Sequence, residues 1–246
     1  MTSTSLTTAG PAPTDRSGFR DATRILTSVL APVEKRGLLW MAQRIPLRIN
    51  SDHLTGLALL AMAGAGASYW LARGSHTGLV LAIGCLAINW FGDSLDGTLA
   101  RVRDQQRPRY GFYVDHAVDC VGAAFLLGGL GLSGYMHPYV ALGLLAAYLL
   151  LSAEAYLATY CVQTFRISFF KIGPTELRIL LSIGNLVLLV HPNVTVLGHT
   201  YRLFDAGGGI GIIGLIVTFT FAAIRNTRTL YVAEPRPGSD TDKLEV

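Results

Sequence analysis

The chain has 246 residues, of which 51% are hydrophobic and only 15% charged, and its mean hydropathy is +0.42. A soluble domain carries charge on about a quarter of its residues, so these figures exclude a soluble globular protein and indicate an integral membrane class. The net charge of +4 is spread unevenly, and that spread sets an orientation.

Residues 1–20 are rich in Thr, Ser, Pro and Gly and hold no apolar core, so no cleavable signal peptide is visible. Residues 1–21 read as a disordered tail. Residues 22–50 mix apolar positions with Arg24, Lys35, Arg36, Arg44 and Arg48, too much charge to span a bilayer. They read as a juxtamembrane amphipathic helix, in one or two pieces, lying on the membrane with its basic residues near anionic headgroups. A solvated helical leader is the plainer alternative.

Six segments then approach the length of about 20 residues that crosses a hydrocarbon core. They run at 54–73, 79–102, 111–132, 137–160, 174–191 and 208–230. The expected fold is therefore all-α and polytopic. A six-helix transmembrane domain over 51–232 follows the surface helix, and 233–246 form a cytoplasmic tail. Short gaps make neighbouring helices antiparallel. Gly64, Gly66, Gly122, Gly128, Gly129 and Gly131 suit close packing in lipid. Cys85, Cys120 and Cys161 have unrelated spacings and read as small buried residues rather than a disulfide or metal set.

Lys and Arg mark the sides of the membrane. The leader, Arg103, Arg107, Arg109, Arg166, Lys171, Arg225 and Arg228 fall on one side, and only Arg73 and Arg202 on the other. Six spans place both termini on the basic, cytoplasmic side. The same side holds the end of the second span and the start of the third.

Four aspartates lie there: Asp93, Asp96, Asp115 and Asp119. An ionised carboxylate at membrane depth costs several kcal/mol unless compensated, so such residues are rare and usually functional. The i,i+3 and i,i+4 spacings put each pair on one helix face. The turn at Gln105–Arg109 brings the two pairs together. Hard oxygen ligands select Mg²⁺, Mn²⁺ or Ca²⁺, and two dications would cancel the four charges. A paired metal site clamps the attacking and leaving oxygens in phosphoryl transfer. Gly97, Ala100 and Gly111 leave a groove free of side-chain bulk, and Arg101 beside it suits a phosphate. Helix packing for the glycines and a topological anchor for Arg101 are the bland readings, outweighed by the four acids.

The run D93-S-L-D96-G97-T-L-A100-R101, nine residues, then G111-F-Y-V-D115-H-A-V-D119 resembles the signature of the CDP-alcohol phosphotransferase family. Every fixed position of D-x-x-D-G-x-x-A-R and G-x-x-x-D-x-x-x-D is present, and the six-span layout is also similar over roughly 50–230. The resemblance implies a transferase that moves a substituted phosphoryl group from a CDP-alcohol to a hydroxyl, releasing CMP. It implies that Asp93, Asp96 and Asp115 hold two Mg²⁺ or Mn²⁺ ions. Asp119 would stand near the metals and act as general base, and Gly97, Ala100, Arg101 and Gly111 would line the nucleotide site. A homodimer is implied on the same grounds. The favoured donor is CDP-diacylglycerol, with a small polar alcohol as acceptor and membrane lipid around it; no nucleic-acid partner is expected.

Other residues divide between roles. Glu154 is an acceptor-site residue or a buried hydrogen-bonding group. Gly173-Pro174-Thr175-Glu176 marks a helix start, and it also resembles a stretch in the choline/ethanolamine phosphotransferase branch, which would set Glu176 toward an acceptor. Arg166, Lys171 and Arg178 could bind a phosphorylated acceptor, although anchoring explains the first two equally well. His116 favours packing over substrate contact. The rival donors are CDP-choline or CDP-ethanolamine with diacylglycerol as acceptor. A carboxylate-lined cation carrier and an inactive scaffold are the rivals from other classes.

Overall fold

The computed structural model describes residues 23–25, 31–162, 164–166, 173–196, 198–234 and 236. The expected tail at 1–21, most of that at 233–246, Lys171 and the side chain of Arg166 lie outside the described residues. Seven helices dominate the described chain: α1 (Ala31–Ala42), α2 (Ser51–Leu71), α3 (Thr77–Val102), α4 (Pro108–Leu132), α5 (Pro138–Cys161), α6 (Pro174–Leu188) and α7 (Leu203–Ala233).

Five of these, α2, α3, α4, α5 and α7, are long and apolar enough to cross a membrane. The sixth expected segment forms α6, whose 15 residues reach only about 22 Å at 1.5 Å per residue. That is short of a hydrocarbon core of about 30 Å. The outer faces are apolar: Ile210 on α7 is 73% exposed and Leu142 on α5 is 62% exposed. Such surface is stable against lipid and not against water, which makes this an integral membrane protein.

Two short strand pairs modify the all-α expectation. β1 (Thr23–Ile25) pairs in parallel with β2 (Thr164–Arg166), tying the segment before α1 to the α5–α6 connector. Thr23–Ile25, early in the expected surface helix, are thus extended, and among the described residues of 22–50 the helix is α1. β3 (Asn193–Val196) and β4 (His199–Arg202) form a hairpin between α6 and α7. Gly198 in its turn has φ +80°, a conformation open to glycine at little cost. β-Branched residues supply much of β3 and suit the pleated backbone.

α2 is the spine, packing against both α3 and α4, while α5 joins α4 to α7 and α6 lies on α3. Two close approaches set these seams. A Cβ on Gly66 would strike the carbonyl of Phe125, and one on Gly129 would strike the Gly66 backbone, so α2 and α4 meet backbone to backbone. A Cβ on Gly92 would lie 2.6 Å from the Leu54 carbonyl oxygen, so α3 presses onto α2 one residue before Asp93. The main core fills in around Tyr69, Leu79, Leu86, Leu130 and Leu188. A second cluster seats α1 through Leu38 and Ala42 on Leu54, Leu95 and Leu99, leaving Lys35 and Arg36 exposed.

Candidate active site

α3 carries Asp93 and Asp96 near its C-terminal end, and α4 carries Asp115 and Asp119 near its start. The connecting turn is fastened down by two arginines. Arg103 donates from Nη2 to the carbonyls of Ile45 (2.8 Å) and Pro46 (3.1 Å) and from Nη1 to that of Ile49. Arg107 grips both oxygens of Asp52 at 2.5 and 2.6 Å and stacks over Tyr110. The hydrogen bond that Arg107 donates to Asp52 holds its guanidinium above its ordinary pKa. Pro108 then opens α4 at a position where a missing N–H is harmless. Read from sequence, these arginines marked only the side of the membrane. They also lock the hairpin that carries the acids.

Asp93, Asp115 and Asp119 each bring one carboxylate oxygen to within 4.8 Å of the others, all three partly buried. Oxygens around one Mg²⁺ at about 2.1 Å stand about 3.0 Å apart when adjacent and about 4.2 Å when opposite. A trio gathered within 4.8 Å is on the scale of one dication's ligand sphere. An all-carboxylate donor set fits a hard cation and no softer metal. Asp96, a turn further on, is 8% exposed and stands outside this trio. Its Oδ2 accepts from Thr55 Oγ1 at 2.6 Å and its Oδ1 from the Gly97 N–H, and Ser51 Oγ bonds its carbonyl at 2.7 Å. Asp96 is thereby tied to the start of α2.

The expected nucleotide-side residues line up beside the acids. Arg101 folds back along α3, with Nη2 donating to Thr98 Oγ1 at 3.1 Å. A Cβ on Gly97 would lie 3.5 Å from that guanidinium, an ordinary van der Waals contact. Nothing lies within 4 Å of a Cβ built on Gly111, and Ala100 is half-buried nearby on α3.

Several contacts around the acids could not be read from the sequence. Arg178 on α6 donates from Nη2 to Asp93 Oδ2 at 2.6 Å and from Nε to Asn89 Oδ1 at 2.7 Å. Asn89, 4% exposed, donates in turn to the Ala58 carbonyl. Glu34 on α1 takes three hydrogen bonds on one oxygen: Trp90 Nε1 (2.7 Å), Thr175 Oγ1 (2.9 Å) and Ser94 Oγ (3.2 Å). On α5, Tyr148, Ser152 and Tyr156 recur every four residues and face α4; Tyr148 stands within electrostatic range of Asp119 and Asp93. That four-residue polar period inside an apolar span was the available signal. His116 stacks on Phe112 (centroids 4.2 Å) and meets Tyr156 edge-on (5.0 Å), a packing role.

The acceptor candidates scatter. Glu154 accepts from Asn226 Nδ2 at 2.6 Å across the α5–α7 seam, and Asn226 accepts in turn from Arg225. Glu176 reaches back to the N–H of Gly173 at 2.9 Å and caps its own helix. Arg166 lies in β2, with only its backbone described. The three cysteines are free thiols, and Gly207–Gly211 lies inside α7 rather than in a phosphate-binding loop.

No curated protein matches the chain significantly. The sequence model of the CDP-alcohol phosphatidyltransferase family matches residues 51–223, well over half of the chain, from the first residue of α2 into α7. That span contains all four aspartates, Gly97, Arg101 and Gly111. The chain belongs to the CDP-alcohol phosphatidyltransferase family and is a transferase of substituted phosphate groups acting on a CDP-alcohol donor and an alcohol acceptor.

Proposed function

We propose that the protein transfers a phosphatidyl group from CDP-diacylglycerol to the hydroxyl of a small polar alcohol in phospholipid synthesis. The acceptor oxygen forms a bond to the lipid-bearing phosphorus, the bond from that phosphorus to the bridging oxygen breaks, and CMP leaves. The observation that carries this reading is the gathering of three carboxylates from α3 and α4 at one end of apolar helices. Lipid and soluble reactants can meet only at such an end.

Asp93, Asp115 and Asp119 are the residues that would hold two Mg²⁺ or Mn²⁺ ions, with Asp96 of α3, tied to the start of α2, completing the set. Bound there, the ions would offset negative charge on the donor pyrophosphate and the transferring group. Asp119 accepts the proton of the attacking hydroxyl. Arg101, folded over Gly97, pairs a donor phosphate, and the open space at Gly111 receives the cytidine. Glu154 and Glu176 are engaged in helix–helix and capping bonds, so an acceptor role for either requires exchange of those partners. Arg166 and Lys171, in the connector before α6, belong to the same acceptor side of the proposal.

The distribution of basic residues supports a cytoplasmic orientation of the acid end and of both termini, and the proposal has α6 and its flanks complete a sixth crossing. A cation carrier needs acids spread through membrane depth, whereas these collect at one end.

The test is CMP release by purified protein given radiolabelled CDP-diacylglycerol with candidate alcohols, or CDP-choline and CDP-ethanolamine with diacylglycerol. Turnover with the first donor alone, abolished by EDTA and restored by Mg²⁺ or Mn²⁺, is expected. Turnover only with the second pair reverses which substrate is the lipid. Metal-independent turnover sinks the assigned role of the acids.

A further inference from the structure

An arginine from α6 sits where a cation is wanted. Arg178 and Asp93 are 15% and 20% exposed at their side chains and lie 2.6 Å apart, so the pair is largely removed from water. Its Nε is held independently by Asn89, itself tied to α2 through the Ala58 carbonyl. The planar fork allows one guanidinium to hold a neutral amide and a carboxylate together, which a lysine cannot do. Thr175, three residues earlier on the same helix face, is clamped to α3 by Glu34. Arg178 is thus a built-in bracket, fixed from α2, α3 and α6, rather than a surface arginine that has found a counter-ion.

Asp93 is also one of the three carboxylates that converge to within 4.8 Å. A dication gathered by that trio would lie beside a fixed positive charge and share Asp93 with it. Stripping a largely buried carboxylate of its partner is destabilising, so a cation beside Asp93 favours the fold. We infer that Arg178 is an internal counter-cation that stands in for metal at Asp93, holding the emptied site in shape and setting metal affinity below what the carboxylates alone would give. It is a positioning residue. This inference rests on the metal-dependent reading of the same acids.

Mn²⁺ alone is the probe, titrated into the full chain in detergent by calorimetry, with thermal unfolding followed with and without the ion. Arg178→Gln and Arg178→Met both remove the charge. The expected result is Mn²⁺ binding about tenfold tighter than in the unaltered protein, since a like charge has gone, together with a larger Mn²⁺-induced rise in Tm. A variant that folds only when Mn²⁺ is present supports the inference equally, because the ion then supplies the missing charge. Unchanged or weaker binding overturns the inference, and so does a loss of fold in both variants that Mn²⁺ does not rescue. Failure of the unaltered protein to bind Mn²⁺ at all would instead defeat the metal assignment itself, which separates the two.

Discussion

Asp119, Asp96 and Arg101 are held in different ways and should fail differently when altered. Asp119→Asn keeps the shape but removes the proton acceptor, and kcat is expected to fall by about 10²–10⁴-fold; CMP release under saturating donor measures it. Asp96→Ala removes a ligand candidate and leaves the Thr55 hydroxyl without its acceptor. It should lose Mn²⁺ binding and turnover together. Arg101→Ala should raise the KM for donor by about tenfold, the scale of one charge-assisted phosphate contact, while leaving Mn²⁺ binding intact. At this scale the sequence was informative where residues are close along it. Asp93 and Asp96, or Asp115 and Asp119, share a face by helical arithmetic alone. The partner of Asp93 is 85 positions away, and no periodicity connects Arg178 to it. Glu34, set among basic residues in a surface segment, gave no hint that it faces inward.

Helices meet here through small residues and a few polar clamps. Substituting Leu for Gly129 would drive a side chain into the backbone of α2. The expected outcome is loss of folded, monodisperse protein, since overpacking costs about 1–3 kcal/mol even where neighbours can shift and backbone cannot. Size-exclusion profiles and thermal unfolding in detergent read it. Glu34→Ala should lower stability by about 1–3 kcal/mol in all, because the part-buried Trp90, Ser94 and Thr175 lose their shared acceptor. The element boundaries were largely visible beforehand, because apolar runs broken by Gly, Pro and charge mark helix ends well. Pro174 indeed opens α6, whereas Pro108, read as part of the turn, is already the first residue of α4. The strand pairs were not visible. β1 joins β2 across about 140 residues, and three-residue segments leave no period to detect.

For the whole molecule, the arrangement in the bilayer is the testable property. Single cysteines at Gln106, in the turn between the acid-bearing helices, and at Thr200, in the far hairpin, should label from opposite sides of sealed vesicles. The Gln106 site is expected to react with a membrane-impermeant maleimide from the cytoplasmic face. The Thr200 site should not. Equal labelling of both would remove the assigned orientation. Composition alone indicated a membrane protein, because 15% charge cannot clothe a soluble domain of this size. The depth of α6 could not be read in the same way: length and apolarity of a segment do not reveal how much of it coils into helix.

The glycine contacts along α2 carry a consequence for traffic. Where Gly66 meets Gly129, and again where Gly92 meets Leu54, two polypeptide backbones touch with no side chain between them. At those two contacts no methylene fits between the backbones of α2 and its neighbours. No extensive seam joins α5 to α6 among the described residues. For the lipid donor proposed above, the α5–α6 side, with Tyr148 on α5 and Arg178 on α6, is the approach these two contacts leave unsealed.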